Sequence, residues 1–135
     1  QALQPLLRAM GNDDWHVRMG AAIALRIIGD RSALDSLIPA IGDENRFVRR
    51  EVVKSLGRIG DHRVIDILIG ALKDPDRSVR LRAVSALSKC RDDRVIEPLI
   101  NALNDEDSGV RLRVIRALEE MDDPRAVRAL NNSYA

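Results

Sequence analysis

Val17, Val48, Val79 and Val110 stand 31 residues apart, and each is followed by an arginine: Arg18, Arg49, Arg80 and Arg111. The same interval relates Leu25, Leu56, Leu87 and Leu118, and also Asp30, Asp61, Asp92 and Asp123. Leu6, Leu37, Leu68, Leu99 and Leu130 form a further column in the same register. Columns without insertions describe one supersecondary unit used repeatedly, and a unit this small cannot bury its apolar side alone. Neighbouring units must therefore stack to complete a core.

Each unit holds two apolar stretches at helical spacing. Val48, Val52, Val53, Leu56 and Ile59 make one stripe, and Val64, Ile65, Leu68, Ile69 and Leu72 make the next. Between them, Gly29 and Gly60 suit a helix C-terminus that turns through positive φ. The aspartates that follow can cap the second helix, with Pro124 in its first turn. Between units, Asn12, Asp43, Asp74 and Asp105 repeat the capping pattern, with Pro75 just inside. Asp13, Asp14, Glu44, Asp76, Glu106 and Asp107 then fall in first turns, where the helix dipole favours acids. A unit is thus helix A, a tight turn, helix B and a short link.

The expected fold is an all-α, right-handed solenoid of stacked antiparallel helix pairs. It comprises a partial unit at 1–10, units at 11–41, 42–72 and 73–103, and a C-terminal capping unit at 104–135. The chain should open inside a B helix running from Ala2 to Met10. Its apolar Leu3, Leu6, Leu7 and Met10 point to upstream sequence or to packing on another chain. At the other end Asn131 replaces the Ile38, Ile69 and Ile100 of earlier units, as a capping helix would.

These residues resemble HEAT-like repeats of the short class found in phycobilin lyases. The pieces that match are Val-Arg in helix A, Ile28-Gly29-Asp30 and Ile59-Gly60-Asp61 at the turn, and Val95-Ile96-Glu97-Pro98-Leu99-Ile100 in helix B. Asp122-Asp123-Pro124-Arg125-Ala126-Val127 matches most closely at the turn, whereas Cys90-Arg91-Asp92 departs from the glycine pattern. The resemblance covers nearly the whole chain and implies a binding scaffold. It also implies two alternatives: an accessory subunit of a bilin lyase-type complex, or a DNA-binding module like the alkylpurine DNA glycosylases.

Composition narrows the work such a chain can do. Aromatic residues are only 2%, which disfavours aromatic-rich β architectures. One cysteine excludes an internal disulfide framework and a multi-cysteine zinc site. The 22 basic and 21 acidic residues give a net charge of +1, so no global field draws in nucleic acid or an anionic membrane. No apolar run nears the roughly 18–20 residues of a membrane span, and no signal peptide opens the chain, so a cytoplasmic protein is expected.

Catalytic groups are sparse. His16 and His62 fall at opposite ends of the repeat, and the His-Glu pairs of HEAT-like deoxyhypusine hydroxylases are missing. Cys90 shares a column with Ile28, Ile59 and Met121, which suggests a packing residue and a poor nucleophile. No phosphate loop or Ser/His/Asp arrangement is visible. The expectation is a non-catalytic protein with no cofactor and no metal.

The arginine column could be a phosphate ladder, but a residue repeated in every unit more often serves the repeat. Each arginine is expected to pair with the Asp30, Asp61, Asp92 and Asp123 column or with loop carbonyls. The line Arg46, Arg50, Lys54 and Arg58 belongs to one unit and reads as a solvated face. In the first full unit the same columns hold Trp15, Met19, Ile23 and Ile27, an apolar line of the kind that marks an interface or a covering upstream repeat. Phe47 neighbours it as a second aromatic anchor. The concave face should carry Gln4, Asp35, Asp66, Glu97 and Arg128, with Arg8, Pro39, Gly70, Asn101 and Asn132 beside them. Three consecutive acids there favour a basic partner segment. The candidate partner-binding residues are therefore Asp35, Asp66, Glu97, Asn101, Trp15, Met19, Ile23, Ile27 and Phe47. The partner is a protein or peptide, not a membrane and not favoured as nucleic acid, with self-association through the N-terminal end left open.

Overall fold

A computed structural model describes residues 3–134. Ala2, the expected first residue of the opening helix, lies outside them. Nine α-helices succeed one another in chain order among the described residues: α1 (Leu3–Ala9), α2 (Trp15–Ile28), α3 (Leu34–Leu37), α4 (Arg46–Ile59), α5 (Ile65–Ala71), α6 (Arg77–Ser88), α7 (Ile96–Asn101), α8 (Ser108–Glu120) and α9 (Pro124–Tyr134). Helices α2, α4, α6 and α8 are the A helices and pack in sequence, α2 on α4, α4 on α6, α6 on α8. The B elements lie alongside, and the result is an all-α solenoid.

The columns set this architecture because they are the core. Leu25, Leu56, Leu87 and Leu118 are buried on the A helices, and Leu37, Leu68, Leu99 and Leu130 on the B elements. Fully burying each such leucine contributes about 1.5–3 kcal/mol, and the 31-residue interval delivers one to the same depth in every unit. Val48, Val79 and Val110 are buried, whereas Val17 on α2 is 39% exposed.

The turns differ in detail from the sequence expectation. Gly29 has φ +72°, as a left-handed cap requires, but Gly60 is extended at φ −70°. Glycine is needed at position 60 for space: a Cβ there would lie 2.3 Å from Val64 Cγ2 and 2.4 Å from the Leu56 carbonyl. The left-handed role recurs at Asp122, with φ 51°. Asp30, Asp61, Asp92 and Asp123 do cap the B elements, accepting from the backbone N–H two residues on.

The A-helix caps fall two residues later than the spacing suggests. Asp14, Asn45, Asp76 and Asp107 accept the first-turn N–H groups. Asn12, Asp43, Asp74 and Asp105 instead accept from the backbone N–H of those cap residues, closing an Asx turn just ahead of the helix. Pro75 therefore sits in the link, before the cap, and the acids nearby precede the first turn instead of lying in it. Pro124 does open α9. The B elements are short α segments joined to 3-10 turns, as at Arg31–Ala33 and Ile38–Gly42 around α3.

Candidate interaction surfaces

The arginine column builds the frame on which any surface is displayed. Arg18 donates from Nε and Nη2 to both carboxylate oxygens of Asp43, at 2.8 and 3.1 Å, and from Nη1 to the carbonyls of Asn12 and Asp13. Arg49 does the same to Asp74 and to the carbonyls of Asp43 and Glu44. Arg80 repeats it on Asp105 and the carbonyls of Asp74 and Pro75. Arg111 donates to the Asp105 carbonyl.

The column is thus structural, but its acid partners are the inter-unit Asp43, Asp74 and Asp105, not the Asp30 series. The reason is reach. The Asx turn aims each of these carboxylates back at the preceding A helix, while the Asp30 series is committed to capping the B elements. The planar guanidiniums of Arg18, Arg49 and Arg80 each bridge one loop's carbonyls and the next loop's carboxylate. Burial acts to raise the Asp43 carboxyl, but the Arg18 hydrogen bonds and the Asn45 N–H hold it below the ordinary 3.8.

The acidic column stands on the B elements, on α3, α5 and α7. Asp35, Asp66 and Glu97 are all exposed, as are Asn101 and the neighbouring Pro39 and Gly70. The acids are not all free of partners. Arg63 stands 3.8 Å from Asp35, and Arg94 stands 3.4 Å from Asp66. Those arginines, one unit further along, were not anticipated as partners. Their signal was present in the sequence as the Arg63, Arg94 and Arg125 column two residues after each capping aspartate. Arg125 turns instead to Asp93 and Asp123.

The apolar line of α2 is only partly open. Trp15, Met19 and Ile23 are half-buried, and Ile27 alone is largely exposed, at 73%. Trp15 stacks on Phe47 with ring centroids 5.6 Å apart, and the guanidiniums of Arg46 and Arg50 lie 5.0 and 5.3 Å from the Phe47 ring. The expected outward apolar stripe is therefore a ridge leaning on α4, with its exposed end at Ile27.

His16 stacks on Trp15 at 3.7 Å and meets Asp14 at 3.0 Å, and both histidines are exposed. Cys90 is half-buried, not fully packed away as its column suggested, because α6 ends at Ser88 and leaves it on the turn. Burial pushes its thiol up, with Asp92 adding to the effect. Among the described residues no cluster of three or more His, Cys, Asp or Glu could hold a metal ion. None of the described helices is long and apolar enough to cross a membrane.

This geometry, paired helices stacked at a fixed interval and tied loop to loop, defines a solenoid of repeats. The HEAT-repeat family model matches residues 1–40, 28–88 and 68–135, and the chain belongs to that family. Among solved structures, an engineered protein aligns with a TM-score of 0.68 at 20% identity over 98% of this chain and 68% of that one. A second engineered protein gives 0.71 at 22%, over 100% and 70%. The complex of CpcE and CpcF of phycocyanin lyase from Nostoc sp. PCC7120 gives 0.73 at 22%, over 94% of this chain and 61% of that one. These likenesses establish the fold. No curated protein matches the sequence.

Proposed function

We propose that this chain is a non-catalytic scaffold that binds another protein or peptide. The B face supplies Asp35, Asp66, Glu97 and Asn101, and the N-terminal edge supplies Trp15, Met19, Ile23, Ile27 and Phe47. The observation that carries this reading is the division of labour between the two acid columns. Asp43, Asp74 and Asp105 are shielded and locked into the frame, with side chains 9% exposed. Asp35 and Asp66 are 88% and 75% exposed and hold their arginines only at 3.8 and 3.4 Å.

Exposed pairs of that kind contribute little to stability. A basic segment can displace Arg63 and Arg94 at small cost, while the frame needs no ordering on binding. Trp15, already held against Phe47, offers a rigid anchor of the residue type most enriched at interface hot spots.

Affinity capture from source lysate with the wild type, Asp66→Arg and Trp15→Ala tests the reading. The expected result is one captured protein, lost or strongly reduced in at least one variant. Identical captures by all three proteins would remove both surfaces from consideration.

A further inference from the structure

The two signs of charge are balanced over the chain but not over its surface. On the A-helix side, a groove of about 480 Å³ runs across α2, α4 and α6, and five of its lining residues are cations: Arg26, Lys54, Arg58, Arg82 and Lys89. The acid paired with two of them is Glu51, which is 4% exposed. It is held by Arg26 at 2.9 Å, Arg50 at 3.1 Å and Lys54 at 3.4 Å. Burial acts to raise its carboxyl, and the Arg26 hydrogen bond, the Lys54 charge and the Arg50 hydrogen bond together hold it down instead. Glu51 thus neutralises one cation while fixing three in place. Arg58, Arg82 and Lys89 have no carboxylate partner among the described residues, and all three are exposed.

The floor of the groove is made of small residues. Gly57 faces Ala86 so closely that a Cβ at 57 would lie 2.8 Å from the Ala86 Cβ, and Ser85 continues the floor. Arg113 of α8 reaches back to the Ser85 hydroxyl and extends the basic rim. The dimensions select the occupant. Lys54 and Arg58, four residues apart on one helix, are offset by about 6 Å along its axis. Alternate side chains of an extended polypeptide recur at about 6.6 Å. No aromatic side chain lines the groove, so a single-stranded nucleic acid would find no base-stacking platform.

We infer that this groove is a second binding surface, opposite in charge to the Asp35, Asp66 and Glu97 column, which takes an extended acidic polypeptide segment. Its test uses a fluorescently labelled peptide of alternating Glu and Gly, about 12 residues long, and anisotropy at about 50 mM salt. The wild type binds this peptide and releases it as salt rises. The double variant Arg58→Glu/Arg82→Glu binds about tenfold more weakly, whereas Arg8→Glu/Arg128→Glu, which changes net charge equally on exposed B-element positions, loses less than about threefold. Asp66→Arg retains binding, which separates this surface from the proposed B-face site. Absence of binding, equal losses in the two double variants, or tighter binding of an oligothymidylate of the same length would each overturn the assignment. So would dimerisation of the peptide-free protein, seen by sedimentation and abolished by Arg58→Glu/Arg82→Glu.

Discussion

Arg80 and Arg111 occupy the same position in successive units but carry different loads. Arg80 and its partner Asp105 are 8% and 9% exposed, and the pair is bidentate at 2.9 and 3.2 Å. Removing one member of a shielded pair leaves the other charge stranded. Arg80→Ala should cost about 3 kcal/mol, read as a lowered urea midpoint at unchanged slope. Arg111 makes a carbonyl contact, so Arg111→Ala should cost only about 1 kcal/mol in the same assay. The Asp43 clamp also contributes to the acid limb of stability. The Asp43 carboxyl titrates below its ordinary 3.8, so its contribution is complete above that value and disappears as pH falls through the lower folded value. Asp43→Asn should therefore start less stable near pH 6 and lose less than the wild type on going to about pH 3. Equal losses in both proteins would mean that the clamp does not carry the acid sensitivity.

At the level of elements, the A helices and B segments are unequal partners. The long A helix α4 has a capping Asn45 that accepts two N–H groups, and it is covered on both sides by α2 and α6. Helix α3 is four residues long and passes directly into the 3-10 turn Ile38–Gly42, where Pro39 lacks an N–H. Local opening should follow this division. Amide hydrogen exchange is expected to be faster across Ile38–Gly42 than across Val52–Leu56, and uniform protection would contradict it. The sequence showed two helices per unit plainly, because periodicity at 3.6 residues survives translation into burial. Phase was less legible. Asp30 and Asp43 both recur every 31 residues, so spacing alone could not say which meets Arg18; only the direction imposed by the Asx turn decides. Similarly, the stripe from Trp15 to Ile27 shows which residues share a side of α2. It does not show that Phe47 of α4 leans against that side.

For the molecule as a whole, the most consequential information lay in departures from the repeat. The repeated columns define the fold and were readable at once. The α2 ridge and the basic groove depend on single positions where one unit differs from its neighbours, and their meaning needs three dimensions. Glu51 takes the place of Gly20, Arg82 and Arg113 in the other units. In sequence it is one acid beside a basic line; in the fold it gathers cations from two helices. Asp35, Asp66 and Glu97 are exposed on the B elements, and the arginines beside Asp35 and Asp66 come from the following unit, a pairing that the spacing does not reveal. Like charges are therefore grouped locally, Asp35, Asp66 and Glu97 on the B elements and Arg58, Arg82 and Lys89 on the A side, in a molecule whose total is nearly neutral.

The loop-to-loop arginine links carry one more consequence, for growth. Arg18, Arg49 and Arg80 each grip a carboxylate 25 residues onward, and that acid's own backbone carbonyl receives the next arginine. Such a zip tolerates lengthening only in whole teeth. A tandem second copy of residues 42–72 would put its own Asp43 within the grasp of the first copy's Arg49, and should fold with a higher urea midpoint than the parent. An insert a few residues longer or shorter would leave that arginine closing on nothing, and the midpoint should fall.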